Sequence, residues 1–223
     1  MRYARITLTA NDGHELAAYR AEPAGAPRGG LVVVHEISGV NRHIREVTDR
    51  FAAEGYVAVA PSLFDRVKRN VAMGYDARAF AYGVLLVRKL DWFELMLDLG
   101  AAVQSVALNG RVGMVGYCFG GTVVWRAAAH LDGLACAVSY YGTRIVNFVE
   151  QAPRIPVLMH VGRRDASLPL EKVHEIGVRY PSVAIHEYDA GHGFNCDHRV
   201  DYDAKAAALA LERTLAFWRA HVG

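Results

Sequence analysis

The sequence predicts an α/β domain in which helices cover both faces of a mostly parallel central sheet, giving three layers. Two observations carry this prediction. Short apolar segments alternate with longer helical segments along most of the chain, and the run Leu31–Val34 is apolar at every position. A strand that is apolar on both faces has to be covered on both faces, as in parallel sheets flanked by helices. Because 223 residues suit one core and no linker or repeat interrupts them, we expect a single domain over residues 1–223.

Local patterns place the individual elements. The alternating runs Ile6–Thr9 and Glu15–Tyr19 flank Asn11-Asp12-Gly13, a turn sequence that predicts an opening hairpin. Apolar periodicity predicts a helix from about Arg42 to Glu54, and the Ala- and Leu-rich stretch 75–108 predicts one or two more. The other apolar runs predict strands at Val57–Ala60, Val112–Val115, Leu134–Tyr140, Pro156–Val161 and Val183–Tyr188. Helical segments are expected at Thr122–Ala129 and Ala204–Val222.

Charge and composition exclude several functions. Lys and Arg total 25 against 23 Asp and Glu, and no run of like charges resembles a nucleic-acid surface, so we expect no nucleic-acid partner. The amino-terminal segment has no apolar stretch of the signal-peptide type, and no aliphatic run approaches the length of a membrane span, so no membrane partner is expected. Three cysteines without a C-x-x-C spacing indicate a reducing compartment and hence a cytoplasmic protein.

A glycine-rich turn is the first candidate for chemistry. Gly116-Tyr117-Cys118-Phe119-Gly120-Gly121 lies between a predicted strand and a predicted helix, and it is a G-x-C-x-G variant of the nucleophile elbow. The glycines suit a tight turn with no room for side chains, and the start of the helix favours a thiolate at Cys118. Taken alone, the turn is also compatible with a buried and inert cysteine. The glycine spacing does not match a dinucleotide-binding turn.

Two further residues follow successive strands and complete a candidate triad. Asp165 comes just after the strand Pro156–Val161, and His192 comes just after the strand Val183–Tyr188. The order nucleophile, acid, base, with each residue past the carboxyl end of a strand, is the arrangement in which open α/β sheets place catalytic groups. We therefore predict that Cys118, His192 and Asp165 form a catalytic triad.

Acyl transfer also requires donors for the oxyanion. The amide of Phe119, which follows the nucleophile, is one candidate, and the amide of Ile37, in the loop after the strand Leu31–Val34, is the other. Tyr141, at the end of another predicted strand, is a candidate to line the same pocket.

These motifs resemble those of the dienelactone hydrolases, a family of the α/β-hydrolase superfamily. The resemblance covers about residues 30–218 and is strongest at four segments. They are His35-Glu36-Ile37-Ser38-Gly39-Val40-Asn41, Gly116-Tyr117-Cys118-Phe119-Gly120-Gly121, Ala190-Gly191-His192-Gly193-Phe194 and Glu212-Arg213-Thr214-Leu215. The resemblance implies an α/β-hydrolase domain, a lactone-opening hydrolase that converts dienelactone to maleylacetate, and the same two oxyanion amides.

The resemblance also implies roles outside the triad. Glu36 corresponds to a carboxylate beside the nucleophile that takes part in controlling thiol ionisation, and Arg78 and Tyr82 correspond to an arginine and a tyrosine placed over the substrate. A second substrate arginine of the family lies four residues after the catalytic histidine, and here that position is Cys196. Arg199 is nearby but not in register. Because of this departure, a preference for dienelactone itself does not follow from the resemblance.

The sequence thus predicts a carboxylic ester hydrolase that acts on a small ester or lactone, needs no cofactor, and is a monomer or a small homo-oligomer. A general carboxylesterase or thioesterase with the same chemistry is the main alternative, and a pseudo-enzyme that binds small acids is a second. No metal site is expected, because the loop that carries His192, Cys196 and His198 matches no zinc-binding spacing and lacks a second ligand pair.

Overall fold

Eight strands form one sheet in the computed structural model, which describes residues 2–223. They are β1 (Arg2–Thr9), β2 (Glu15–Glu22), β3 (Gly30–Val34), β4 (Val57–Pro61), β5 (Val112–Tyr117), β6 (Leu134–Tyr140), β7 (Val157–Gly162) and β8 (Ala184–Tyr188). Their order is β1-β2-β4-β3-β5-β6-β7-β8. The strand β2 is antiparallel to both of its neighbours, β1 and β4, whereas the six strands from β4 to β8 in this order are parallel. The carboxyl ends of these parallel strands therefore meet at one edge.

Six α-helices cover the two faces of this sheet. They are α1 (Arg42–Ala53), α2 (Ala77–Lys89), α3 (Trp92–Ala107), α4 (Phe119–His130), α5 (Leu170–Arg179) and α6 (Ala204–His221). One apolar core contains residues of α1 and α6, and a second contains residues of α2, α3, α4 and α5. Successive residues of β3 point into opposite cores, Val32 into one and Val33 into the other. This confirms the predicted three-layer α/β fold.

Most elements occur where the sequence predicts them, and the exceptions have local causes. The stretch 75–108 forms two helices because Asp91 interrupts it, and its side chain accepts the amide protons of Phe93 and Glu94. The helix α5 and a short 3-10 helix at Ile145–Phe148 were not predicted. No helix within residues 2–223 has the combination of length and hydropathy needed to cross a bilayer.

Two helix caps fix the loops that reach the sheet edge. Asn41 caps α1 by accepting the Ile44 amide at 3.2 Å, and Asp203 caps α6 by accepting the Ala206 amide at 2.9 Å. Each cap orients the chain that enters its helix. These caps terminate the loop after β3 and the loop after β8, and both loops supply residues to the site described next.

Candidate active site

Cys118 occupies a strained backbone conformation at the turn from β5 into α4. Its φ is 54°, a region that residues with a side chain seldom adopt, and its amide donates to the Tyr140 carbonyl at 3.0 Å. The turn depends on its flanking glycines. A Cβ on Gly116 would lie 2.1 Å from the Gly120 carbonyl oxygen, and a Cβ on Gly120 would lie 2.4 Å from the Val34 carbonyl oxygen. The sequence therefore directs the thiol toward the sheet edge.

His192 and Asp165 meet at the same edge. The Nδ1 atom of His192 lies 2.7 Å from Oδ2 of Asp165, and the Cys118 side chain is close enough to the ring to contribute to the pKa of His192. The Asp165 side chain is fully buried, and its second oxygen accepts the Ser167 amide at 2.8 Å. The structure thus brings together the three residues predicted as a triad, and each polar atom of the carboxylate has a partner.

The pKa of His192 is raised from 6.5 to about 10. Burial opposes the charged imidazole, but the hydrogen bonds to Asp165 and Cys118 outweigh that cost, and the charges of the same two residues add to the effect. At neutral pH this histidine is therefore an imidazolium. Such a group placed against a sulfur is the counter-charge that a thiolate needs.

The two predicted oxyanion donors lie beside the nucleophile. Phe119 begins α4, so its amide has no acceptor inside the helix, and both Phe119 and Ile37 line the cavity at Cys118. Buried His35 holds the loop that carries Ile37. Its Nδ1 lies 2.6 Å from the Glu36 carbonyl oxygen, and its Nε2 accepts the Leu63 amide at 3.2 Å. Burial lowers the pKa of His35 to about 4, which keeps the ring neutral for this dual role.

The helix α2 packs against the back of this loop. Gly83 makes the close approach, because a Cβ there would lie 2.5 Å from the Ile37 carbonyl oxygen. The position of the Ile37 amide therefore depends on the absence of a side chain at Gly83.

Glu36 is buried next to the nucleophile and lacks a hydrogen bond. It is 1% exposed, and neither carboxylate oxygen has a hydrogen-bond partner among residues 2–223. Arg199 is the nearest cation, with Nη1 at 4.0 Å from Oε1, and its guanidinium packs over the ring of Tyr75 at 5.6 Å. Burial of an unpaired carboxylate is costly, so a structural role alone does not account for Glu36.

Tyr141 packs against His192 but is not among the residues that line the cavities at Cys118, which corrects the expectation that it lines the pocket. It is fully buried with φ at 40°, and its ring lies 5.1 Å from that of His192 in an edge-to-face arrangement. Its hydroxyl has no hydrogen-bond partner in the part of the chain that the structure describes. Burial, with the charge of Glu36 nearby, raises the pKa of Tyr141 well above its usual value, so the hydroxyl is a potential donor.

Two compartments open at Cys118 and His192. The small compartment, about 40 Å³, contains Glu36 and Arg199. The large compartment, about 150 Å³, has mainly apolar walls, and Arg144 lies at its rim. The apolar side chains that line the large compartment are Ile37, Phe80, Val84, Val87 and Phe119. The site therefore has a charged side and an apolar side.

Arg78 and Tyr82 lie elsewhere. They line an open groove on the outer face of α2 and neither compartment at Cys118, so the structure does not bring them to the place expected for residues that lie over the substrate. Their four-residue spacing does place them on one helical face, but the face toward Cys118 carries Phe80 and Val84 instead. The periodicity of an amphipathic helix does not reveal which face meets the site.

Sequence reasoning left out the residues that shape the charged side. Arg199 was noticed but not included in the site, and Tyr75 and Phe80 were not singled out, although all three line the small compartment. The only available signal was an arginine near the position at which the family has one. Cys196 is fully buried, and its pKa is raised to about 12, mainly by burial, so this thiol is neutral at physiological pH.

The fold and the site define a class of protein, an α/β-hydrolase-fold enzyme that hydrolyses carboxylic esters. A family model for the dienelactone hydrolase family matches residues 16–222. The chain therefore belongs to the dienelactone hydrolase family.

Named relatives and a solved structure agree with this assignment. The chain is 34% identical to carboxymethylenebutenolidases of Pseudomonas putida and of Pseudomonas knackmussii, over 95% of this chain and 94% of each relative. A crystal structure of a Klebsiella pneumoniae protein, assigned as a dienelactone hydrolase, superposes with a TM-score of 0.87 at 29% identity and covers 98% of both chains. A dienelactone hydrolase-like phosphotriesterase from metagenomic libraries, at 19% identity and a TM-score of 0.77, has the same fold.

Proposed function

We propose that the protein opens small lactones or esters that carry a carboxylate, through an acyl-enzyme on Cys118. The observation that carries this proposal is the position of the Asp165–His192–Cys118 chain, which ends in a compartment that also contains a partly buried guanidinium. The name of the Pseudomonas relatives, carboxymethylenebutenolidase, describes a lactone that bears such a carboxylate.

In the first half-reaction the sulfur of Cys118 attacks the ester carbonyl carbon. The resulting oxyanion accepts hydrogen bonds from the amides of Ile37 and Phe119, each worth about a hundredfold in rate or more. As the carbon–oxygen bond breaks, His192 donates its proton to the departing oxygen. In a lactone this oxygen stays attached to the acyl group, so the ring opens and a thioester remains.

In the second half-reaction water hydrolyses the thioester. His192, now neutral, removes a proton from the attacking water, and Asp165 holds the ring so that Nε2 faces the water. Collapse of the second tetrahedral intermediate releases the carboxylic acid and returns the Cys118 thiolate with the His192 imidazolium. No group beyond the chain is required for these proton transfers.

Arg199 is the group that we assign to the substrate carboxylate. Its side chain is 20% exposed, and its present neighbours, Glu36 at 4.0 Å and Asp201 at 3.5 Å, are too distant for strong hydrogen bonds. A substrate carboxylate that enters the small compartment offers the two-oxygen geometry that a guanidinium prefers.

The triad is tested by hydrolysis of dienelactone and of p-nitrophenyl acetate. Cys118→Ala and His192→Ala are expected to lose activity toward both substrates by about 10³-fold or more, because each removes a member of one catalytic unit. Full turnover by Cys118→Ala would contradict the acyl-enzyme.

The substrate assignment is tested by two arginine variants. Arg199→Gln is expected to raise KM for anionic substrates by about tenfold or more and to leave KM for p-nitrophenyl acetate within about twofold. Arg78→Gln is the matched control, since its side chain lines only the outer groove, and little change is expected for either substrate. A larger effect of Arg78→Gln than of Arg199→Gln on KM for anionic substrates would instead support Arg78 as the arginine that binds the substrate carboxylate.

A general carboxylesterase or thioesterase is the second candidate. The apolar large compartment favours it, because an acyl chain would fill that volume without a charged partner. A higher kcat/KM for neutral esters or thioesters than for anionic lactones would support this candidate over the first.

A further inference from the structure

A group of histidine and carboxylate side chains lies between α1 and the loop after β8, outside the catalytic compartments. His43 and Glu46 come from α1, whereas Asp197 and His198 come from the loop. Nδ1 of His43 lies 3.3 Å from Oδ1 of Asp197, which lies 3.7 Å from Nε2 of His198. Nε2 of His198 in turn hydrogen-bonds to Oε2 of Glu46 at 2.6 Å. Three potential ligand atoms, from His43, Asp197 and His198, thus converge from two elements, and Glu46 lies beside His198.

His43 is the unusual member of this group. Its side chain is 1% exposed, and neither ring nitrogen has a hydrogen-bond partner among residues 2–223. Buried polar atoms are nearly always satisfied, so an unpaired imidazole nitrogen directed at a carboxylate requires an explanation.

We propose that His43, Asp197 and His198 bind one divalent cation of the zinc type, with water as a fourth ligand. Ligands about 2.0–2.2 Å from a tetrahedral zinc ion lie about 3.4 Å from one another, and the spacings of 3.3 and 3.7 Å in this group are close to that value. The ion replaces the Nε2 proton of His198, which is released to solvent, and the hydrogen bond between Nε2 and Glu46 is lost. Two imidazoles and a carboxylate form a ligand set that zinc accepts.

The ligands come from distant parts of the chain, which is why the sequence did not predict the site. The loop supplies Asp197 and His198, and the third ligand, His43, comes from α1, about 150 residues earlier. An ion at this position would cross-link the loop to α1. Arg199 follows His198 directly, so the cross-link would also restrict the guanidinium at the catalytic compartment.

The proposal is tested by titrating Zn²⁺ into the full chain and measuring binding by calorimetry. The titration uses the Cys118→Ala protein, because the catalytic thiol is itself a zinc ligand. One ion per chain is expected to bind. Since binding stabilises the folded state, Tm should rise by about 5 °C or more when free Zn²⁺ is a hundred times Kd.

Ligand variants identify the position of the ion. Asp197→Asn and His198→Gln are expected to weaken binding by more than about tenfold each, and both side chains are partly exposed, so folding is not at risk. The matched control is His174→Gln, which removes an exposed histidine that lies 2.8 Å from Glu187 but has no further ligand nearby. Unchanged affinity in His198→Gln, or the absence of saturable binding in the Cys118→Ala protein, would overturn the proposal.

Discussion

The two sides of the catalytic compartment differ in how their charges are satisfied. On the triad side, Asp165 is fully buried and accepts hydrogen bonds from His192 and from the Ser167 amide. On the opposite side, Glu36 is equally buried, but no group donates to it, and the nearest guanidinium is 4.0 Å away. One carboxylate is held in a complete network, and the other is not.

This difference indicates that the Asp165 side and the Glu36 side of the compartment are prepared for substrate in different ways. A complete network costs nothing to reorganise during the reaction, so the triad side is ready before substrate arrives. An unsatisfied buried charge lowers stability and persists where function requires it. Substrate binding is therefore expected to change the hydrogen bonding of Glu36 more than that of Asp165.

Breaking the network on the triad side should have the largest effect. Asp165→Asn is expected to lower kcat by about 10³-fold or more, because an amide donor at this position stabilises the wrong tautomer of His192. Asp189→Asn is the control, since Asp189 also follows a strand but is exposed and pairs with Arg164. Steady-state ester hydrolysis measures both. Similar losses in the two variants would show that the effect is not specific to the network.

Neutralising Glu36 should separate activity from stability. Glu36→Gln is expected to lower kcat/KM by about 10²-fold, the scale of a positioned proton-transfer group. It should also raise the free energy of unfolding by about 1 kcal/mol, because the unpaired buried charge is removed. Urea denaturation and hydrolysis assays test the two effects, with Glu54→Gln at an exposed position as the control. A less stable variant would mean that Glu36 has a stabilising partner.

Displacing the oxyanion loop should have a smaller effect. In Gly83→Ala the new Cβ would meet the Ile37 carbonyl at 2.5 Å, so the loop must shift, and kcat is expected to fall by about tenfold. Gly100→Ala in α3 is the matched control, because its Cβ meets nothing closer than 3.8 Å. The control should be more stable by about 0.5–1 kcal/mol with unchanged kcat. Equal kcat in both variants would contradict the role of the close approach.

The smallest predicted effect is on the pH dependence of stability. The pKa of His192 is raised to about 10 in the folded state, so its contribution is fully present below pH 6.5 and is lost as the pH rises toward 10. Between pH 6.5 and 7.5 the free energy of unfolding is expected to fall by about 1 kcal/mol. Urea titrations at both pH values measure it. His192→Gln should show a flatter profile over this interval, and an identical slope would assign the effect to another group.

The sequence predicted the fold, and it predicted that Cys118, Asp165 and His192 lie together, because both follow from local signals. The elbow glycines, the buried strand Leu31–Val34 and the strand-end positions of Asp165 and His192 are each visible within a few residues. The charged side was harder to predict, since it depends on where loops and helix faces lie in space. Arg78 was assigned by resemblance to the family, but the face that α2 turns toward the site depends on packing at Gly83. Arg199 and His43 required contacts between distant parts of the chain.

The placement of Arg199 bears on how relatives are compared. A guanidinium reaches the catalytic compartment here from a position three residues beyond Cys196, the position at which the family has its second substrate arginine. An alignment that compares single columns would record this charge as lost. The compartment beside Glu36 nevertheless contains a guanidinium. Substrate classes within the family are therefore better compared by the side chains that enter the compartment than by the residue found at one alignment position.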